Sequence, residues 1–143
     1  MKPTITSITA VILSFVLIFS LSACSTQVEN DGLWENATYL KDTEFGQGAA
    51  TIQLEVIAEE QSVTFTVHTD KETLGDALLE HSLITGEQGA FGLYVKTVNG
   101  ILADYDIDQT YWSLSKNGEA SMTGVDGTKI SDGEHYEFSH TKG

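Results

Sequence analysis

Three carboxylates at alternate positions, Asp104, Asp106 and Asp108, are the residues of this sequence best suited to hold a hard cation. Alternate acidic side chains in a loop can converge on one calcium ion, which takes oxygen ligands in a flexible shell. The stretch departs from an EF-hand loop: Gln109 stands where glycine is needed and Ser115 where the bidentate glutamate belongs. Asp126 and Asp132 can add carboxylates only if folding brings them close. The competing reading is a solvated acidic turn. Around these acids lie Tyr105, Tyr111 and Trp112, which with Asn117 form a candidate ligand-binding surface, and Tyr94 is a further aromatic. Aromatic rings offer a stacking platform to a flat ligand or an anchor to a protein partner. Strand alternation puts Trp112 with Leu114 on one face and Tyr111 on the other, so Trp112 is equally a core residue of its strand.

Nothing comparable speaks for catalysis. His68, His81, His135 and His140 lack the spacing of a metal-binding pair. There is no Gly-x-Ser-x-Gly turn and no glycine-rich phosphate loop. The expectation is a non-catalytic protein.

The candidate residues fall between two Asn-Gly dipeptides, Asn99-Gly100 and Asn117-Gly118, which suit tight type I′ turns. The stretch between them reads as a β-hairpin arm. Before it, Thr51 to Ile57 alternates Ile52, Leu54 and Val56 with polar residues, and Ser62 to His68 does the same with Val63, Phe65 and Val67. Period-two alternation marks two half-buried strands, joined here by a short polar link. The period then changes. Thr73, with Asp76 three residues on, caps an amphipathic helix expected over 74–85, with Gly86 as its stop and Gly75 weakening its first turn. A third strand carries Phe91, Leu93 and Val95, with a bulge expected at Val98. A fourth runs from Tyr111 to Ser115, and the last from Glu134 to His140. The fold class is α+β: a single β-grasp-like domain, a mixed sheet of about five strands with one helix packed on it.

The chain has 143 residues and a formal net charge of −14, from 21 acidic residues against seven lysines and no arginine. Nucleic-acid recognition rests on clustered Arg and Lys, so no nucleic-acid partner is expected. Lys2, an apolar run from Ile8 to Leu21 and then Leu21-Ser22-Ala23-Cys24 describe a secretory signal, too short for a membrane span. The Leu-Ser-Ala-Cys ending resembles the lipobox of bacterial lipoproteins, in which the cysteine is acylated and anchors the chain. Residues 1–23 are then the signal peptide, 24–33 a polar tether, 34–50 a lead-in segment and 51–142 the domain. The expected location is extracytoplasmic, on the cell membrane through lipid on Cys24. Cys24 is the one cysteine, so the folded part has no disulfide to rely on.

Val98-Asn99-Gly100, Ala103-Asp104-Tyr105-Asp106, Tyr111-Trp112, Asn117-Gly118-Glu119 and Gly124-Val125-Asp126, followed by Asp132-Gly133, Tyr136 and Phe138, resemble the transcobalamin-like C-terminal domain of bacterial surface lipoproteins. Thr73-Leu74-Gly75-Asp76-Ala77-Leu78 matches its helix start. The resemblance covers about residues 34–142 and implies a β-grasp fold that binds soluble ligands. In cobalamin carriers such a domain covers one side of the corrinoid and a helical domain grips the other. The implied function is therefore a ligand-binding module, for cobalamin, another corrinoid or some other small molecule. A surface protein-interaction module, serving a transporter or an adhesin, is the alternative.

Overall fold

The structure, a computed structural model, describes residues 32–143. The expected signal peptide, Cys24 and the tether up to residue 31 lie outside the described residues. The described residues open with a 3-10 helix over Gly32–Asn36. Trp34 ties it to the domain. Its ring is buried and its Nε1 donates to the Ala58 carbonyl at 2.8 Å, so the indole both fills the core and satisfies its polar edge.

The main sheet has six strands in the order β1-β3-β2-β9-β7-β8. These are β1 (Thr43–Gly46), β2 (Ala50–Ala58), β3 (Gln61–Thr69), β7 (Thr110–Lys116), β8 (Glu119–Ala120) and β9 (His135–Lys142). β2 and β3 form the expected hairpin, with Ile52 opposite Val67, Leu54 opposite Phe65 and Val56 opposite Val63. All six side chains are buried. At about 1.5–3 kcal/mol for each large apolar side chain taken from water, this register is strongly fixed, because a one-residue slip would expose the set. β9 then runs parallel to β2, with Tyr136 beside Leu54 and Phe138 beside Val56. The lead-in segment supplies β1, parallel to β3, and Tyr39 and Phe45 meet Phe65 edge-on at 5.7 and 5.6 Å.

Helix α1 (Leu74–Glu80) buries Leu74, Ala77 and Leu78, and the Thr73 side chain accepts from the Asp76 amide as its sequence predicts. The helix is shorter than expected, and Gly86 is not its stop. Ser82 takes a left-handed φ of 55°, while the amides of Ser82 and Leu83 bond back to Leu79 and Leu78. That is a Schellman ending built without glycine. The chain from Ile84 is already strand.

A second sheet holds β4 (Ile84–Gly89), β5 (Gly92–Val98) and β6 (Ile101–Leu102) in that order. The irregularity expected at Val98 falls two residues earlier in β5, at Lys96, which is passed over between the pairs Thr85–Thr97 and Gly86–Val95. The hairpin arm expected over 99–118 does not form. Each Asn-Gly dipeptide closes its own hairpin, Asn99-Gly100 between β5 and β6 and Asn117-Gly118 between β7 and β8. Both asparagines have positive φ, 51° and 49°, as a type I′ turn requires. Between the two sheets the chain makes a single helical turn, α2 (Tyr105–Asp108).

Candidate functional site

Between the start of β5 and the middle of β7 lies a cleft of about 170 Å³. Its walls are Leu93 and Val95 of β5 and Trp112 and Leu114 of β7; Val125 and Phe138 close it from within. A shallower hollow of about 340 Å³ continues it along the β4–β5 hairpin tip, sharing Leu93, Tyr94 and Gly124. No charged side chain lines either part. Phe91, 99% exposed, and Tyr94, 48%, stand along the outer hollow, and the exposed Met122 directly precedes Thr123 of the cleft lining.

Each wall is set by local chemistry. Trp112 is buried as the strand alternation allowed, its Nε1 donating to the Ile101 carbonyl at 3.2 Å. Its ring meets Phe138 and His140 edge-on at 6.4 and 5.2 Å. His140 Nε2 is buried and has no hydrogen-bond partner among the described residues. The roof is a short 3-10 turn, Val125–Gly127, tied down from both ends. Thr128 Oγ1 donates to the Gly124 carbonyl at 2.8 Å, and the Asp126 carboxylate accepts from the Leu93 amide at 2.9 Å. This gives Gly75 its reason: a Cβ there would stand 2.5 Å from Asp126 Oδ1. Glycine in the first turn weakens the helix but lets it press against the roof of the cleft.

The structure separates the sequence-predicted site residues. Of Tyr105, Tyr111, Trp112 and Asn117, only Trp112 lines the cleft. Tyr111 faces the other side of β7, Tyr105 lies half exposed beside Gly143, and Asn117 Oδ1 accepts from the His135 amide at 3.1 Å. The three aspartates do not converge as a calcium site. Asp104 caps α2, its Oδ1 accepting from the Asp106 amide at 3.0 Å, while its Oδ2 meets Lys96 Nζ at 3.4 Å. Asp108 accepts from Thr110 through Oγ1–H at 2.5 Å and N–H at 3.1 Å. The Thr110 bond leads in holding the Asp108 carboxyl below the usual range. The reason is local: carboxylates at alternate positions in a helical turn turn inward to bond neighbouring amides rather than toward one point. Among the described residues, no group of three or more His, Cys, Asp or Glu is placed to hold a metal ion.

Sequence reasoning missed Phe91, Leu93, Met122 and Gly124 as a group. A signal for Phe91 was present, since an aromatic at the tip of a Gly-Ala-Phe-Gly turn has no core to enter. Nothing in the sequence showed that the 122–125 loop would lie over β5.

Among solved structures, the chain is similar to haptocorrin in complex with Cbi, at 20% identity and a TM-score of 0.56, over 68% of this chain and 26% of that one. At that identity the likeness is one of fold, and the transcobalamin-like architecture expected from the sequence holds. It is also similar to a protein from Ruminococcus gnavus ATCC 29149 provisionally assigned as metal binding. There the identity is 34% and the TM-score 0.64, covering 66% of this chain and 99% of that one. No curated protein matches the sequence. Residues 71–142, from the approach to α1 through β9, match the family described as a domain of unknown function, DUF4430, and the chain belongs to that family.

Proposed function

We propose that this chain is a non-catalytic, extracytoplasmic ligand-binding module, held to the membrane by lipid on Cys24, that takes a small molecule by an apolar face or substituent against the cleft between β5 and β7. One observation carries the reading: an uncharged cleft opens to solvent beside the exposed Phe91 and half-exposed Tyr94, an arrangement a folded protein rarely leaves uncovered. A corrinoid is the first candidate, supported by the shared fold with haptocorrin. The inner cleft is below the usual size of a whole-ligand pocket, about 300–1,000 Å³. A large flat ligand would therefore lie across the mouth, on Phe91 and Tyr94, with only an edge or substituent inside.

The assignment of the Ruminococcus gnavus protein raises a metal ion as the other ligand class. The apolar reading is favoured because Asp104 spends its oxygens on the Asp106 amide and Lys96 and Asp108 turns its Oδ1 to Thr110, so the three carboxylates do not gather at one point.

The test is a thermal melt of the full chain with cobalamin, cobinamide and calcium in turn. A ligand that binds only the native state raises the midpoint, by about 2.7 kcal/mol of stability at a hundredfold excess over Kd. The expected result is a rise with a corrinoid that disappears in Gly124→Leu. Gly124 suits this variant, because its φ is −71° and a Cβ there meets nothing closer than 3.9 Å. The added side chain enters the cleft at little cost to the fold. A rise with calcium alone would transfer the site to carboxylates, and no rise with any of the three would defeat the corrinoid reading.

A further inference from the structure

The open side of β4 is the surface that ligand binding leaves unused. β4 is the outer strand of the three-stranded sheet, and among the described residues nothing pairs with its free side. Thr85 to Gly89 are all exposed. The turn geometry fixes where the backbone points. Ala90 and Phe91 form a two-residue loop, so Gly89 and Gly92 are its closing pair and exchange their bonds across the hairpin. Glu87 and Tyr94 repeat that arrangement two residues on. Gly86 and Gln88 therefore send their N–H and C=O groups outward, into solvent. Folded proteins commonly blunt such an edge with proline, an inward charge or a bulge. Here the bulge sits at the Thr85–Gly86 end, leaving 86–89 regular, and two glycines let a second backbone come close.

Charge narrows the occupant. Glu87 is 71% exposed on β4 itself, and Asp76 and Glu80 are exposed on α1, which packs against the start of β4. The nearby cation, Lys96, is already shared between Glu87 and Asp104 at 3.4 Å each. We propose that the β4 edge docks an extended, basic segment of a partner protein, added as a further strand. Alternate side chains of an added strand fall on opposite faces. Lysines or arginines on one face would meet Glu87 beside Tyr94; apolar residues on the other would extend the face of Leu93 and Val95.

The probe is a short peptide of alternating lysine and valine, with an alternating glutamate–valine peptide as control. Hydrogen exchange of the full chain is followed at Gly86–Gly89. The lysine peptide should slow exchange there saturably and the glutamate peptide should not. Gln88→Pro removes an outward donor without touching the ladder to β5 and should abolish the protection, with the thermal midpoint reporting that the fold persists. Glu87→Lys, which leaves the backbone alone, should weaken binding about tenfold. Equal protection by both peptides, protection that survives Gln88→Pro in a folded chain, or no protection overturns the proposal. Protection that grows with protein concentration alone would assign the edge to a second copy and overturn it equally.

Discussion

Asn99 and Asn117 occupy the same turn type in the same dipeptide, yet their replacement by alanine should differ severalfold in cost. Asn99 is 1% exposed, and its side chain forms a closed pair with Tyr39: Oδ1 accepts from the Tyr39 amide and Nδ2 donates to the Tyr39 carbonyl, both at 2.9 Å. Its backbone also accepts from Thr38 N–H and donates to the Leu83 carbonyl, each at 2.8 Å. One residue thus joins the lead-in segment, the end of α1 and the β5–β6 turn. In Asn99→Ala, two partly buried groups of Tyr39 lose their partners, at about 1–3 kcal/mol each. Alanine at φ 51° adds roughly 1 kcal/mol more. The expected loss is about 3–7 kcal/mol, a large share of the roughly 5–15 kcal/mol that holds a domain folded. Asn99→Gly keeps the turn geometry and should lose about 1 kcal/mol less. Asn117 has a single side-chain bond, to His135 N–H, at an exposed turn, so Asn117→Ala should cost about 1–2 kcal/mol. Urea unfolding of the three variants, compared at equal m-value, measures this directly. A loss below about 1 kcal/mol for Asn99→Ala, or one no greater than for Asn117→Ala, would refute the reasoning.

Three further outcomes follow from the same geometry. Gly100→Ala should be much worse than Gly118→Ala. Both have positive φ, but a Cβ at Gly100 stands 2.5 Å from the Asn36 carbonyl and one at Gly118 meets nothing within 4 Å; thermal melts rank them. Trp112→Ala, which empties a wall of the cleft, should cost about 3–5 kcal/mol in denaturant unfolding and abolish ligand-induced stabilisation together. For pH, burial raises the Glu134 carboxyl, but hydrogen bonds from Lys116, Tyr136 and the Ser131 amide outweigh it and leave it below the ordinary range. A carboxyl lowered by folding contributes stability above its unfolded pKa and loses it as pH falls through the folded one. Glu134→Gln should therefore be less stable than the parent at neutral pH, with the gap closing in acid; a gap constant from neutral pH into acid would contradict this assignment.

The strands were legible where burial is one-sided. Ile52, Leu54 and Val56 against Val63, Phe65 and Val67 declare their register, because period two is the signature of a surface with one wet face. Both Asn-Gly turns were legible for the same kind of reason, since a positive φ favours those residues. Their partners were not. Which strand each turn closes depends on long-range pairing, and so the expected single arm is in fact two hairpins in two sheets. The end of α1 was misread because its left-handed residue is Ser82 rather than glycine. Of the cleft's lining, Trp112 and Tyr94 were legible as candidate aromatics. Its other walls come from β5, β9 and the 123–125 loop, distant in sequence, while in the showier acidic motif Asp104 is spent capping a single helical turn and Asp108 on Thr110.

The central claim is that the cleft lined by Trp112 holds the apolar face or substituent of a small ligand. The chain has two tryptophans, so Trp34→Phe leaves Trp112 as the sole indole reporter at the site. Its fluorescence should be quenched saturably as cobinamide or cobalamin is added, with correction against free tryptophan, and the response should vanish when Gly124→Leu is introduced. Unchanged emission at saturating corrinoid, or equal quenching with the cleft filled, would contradict the account.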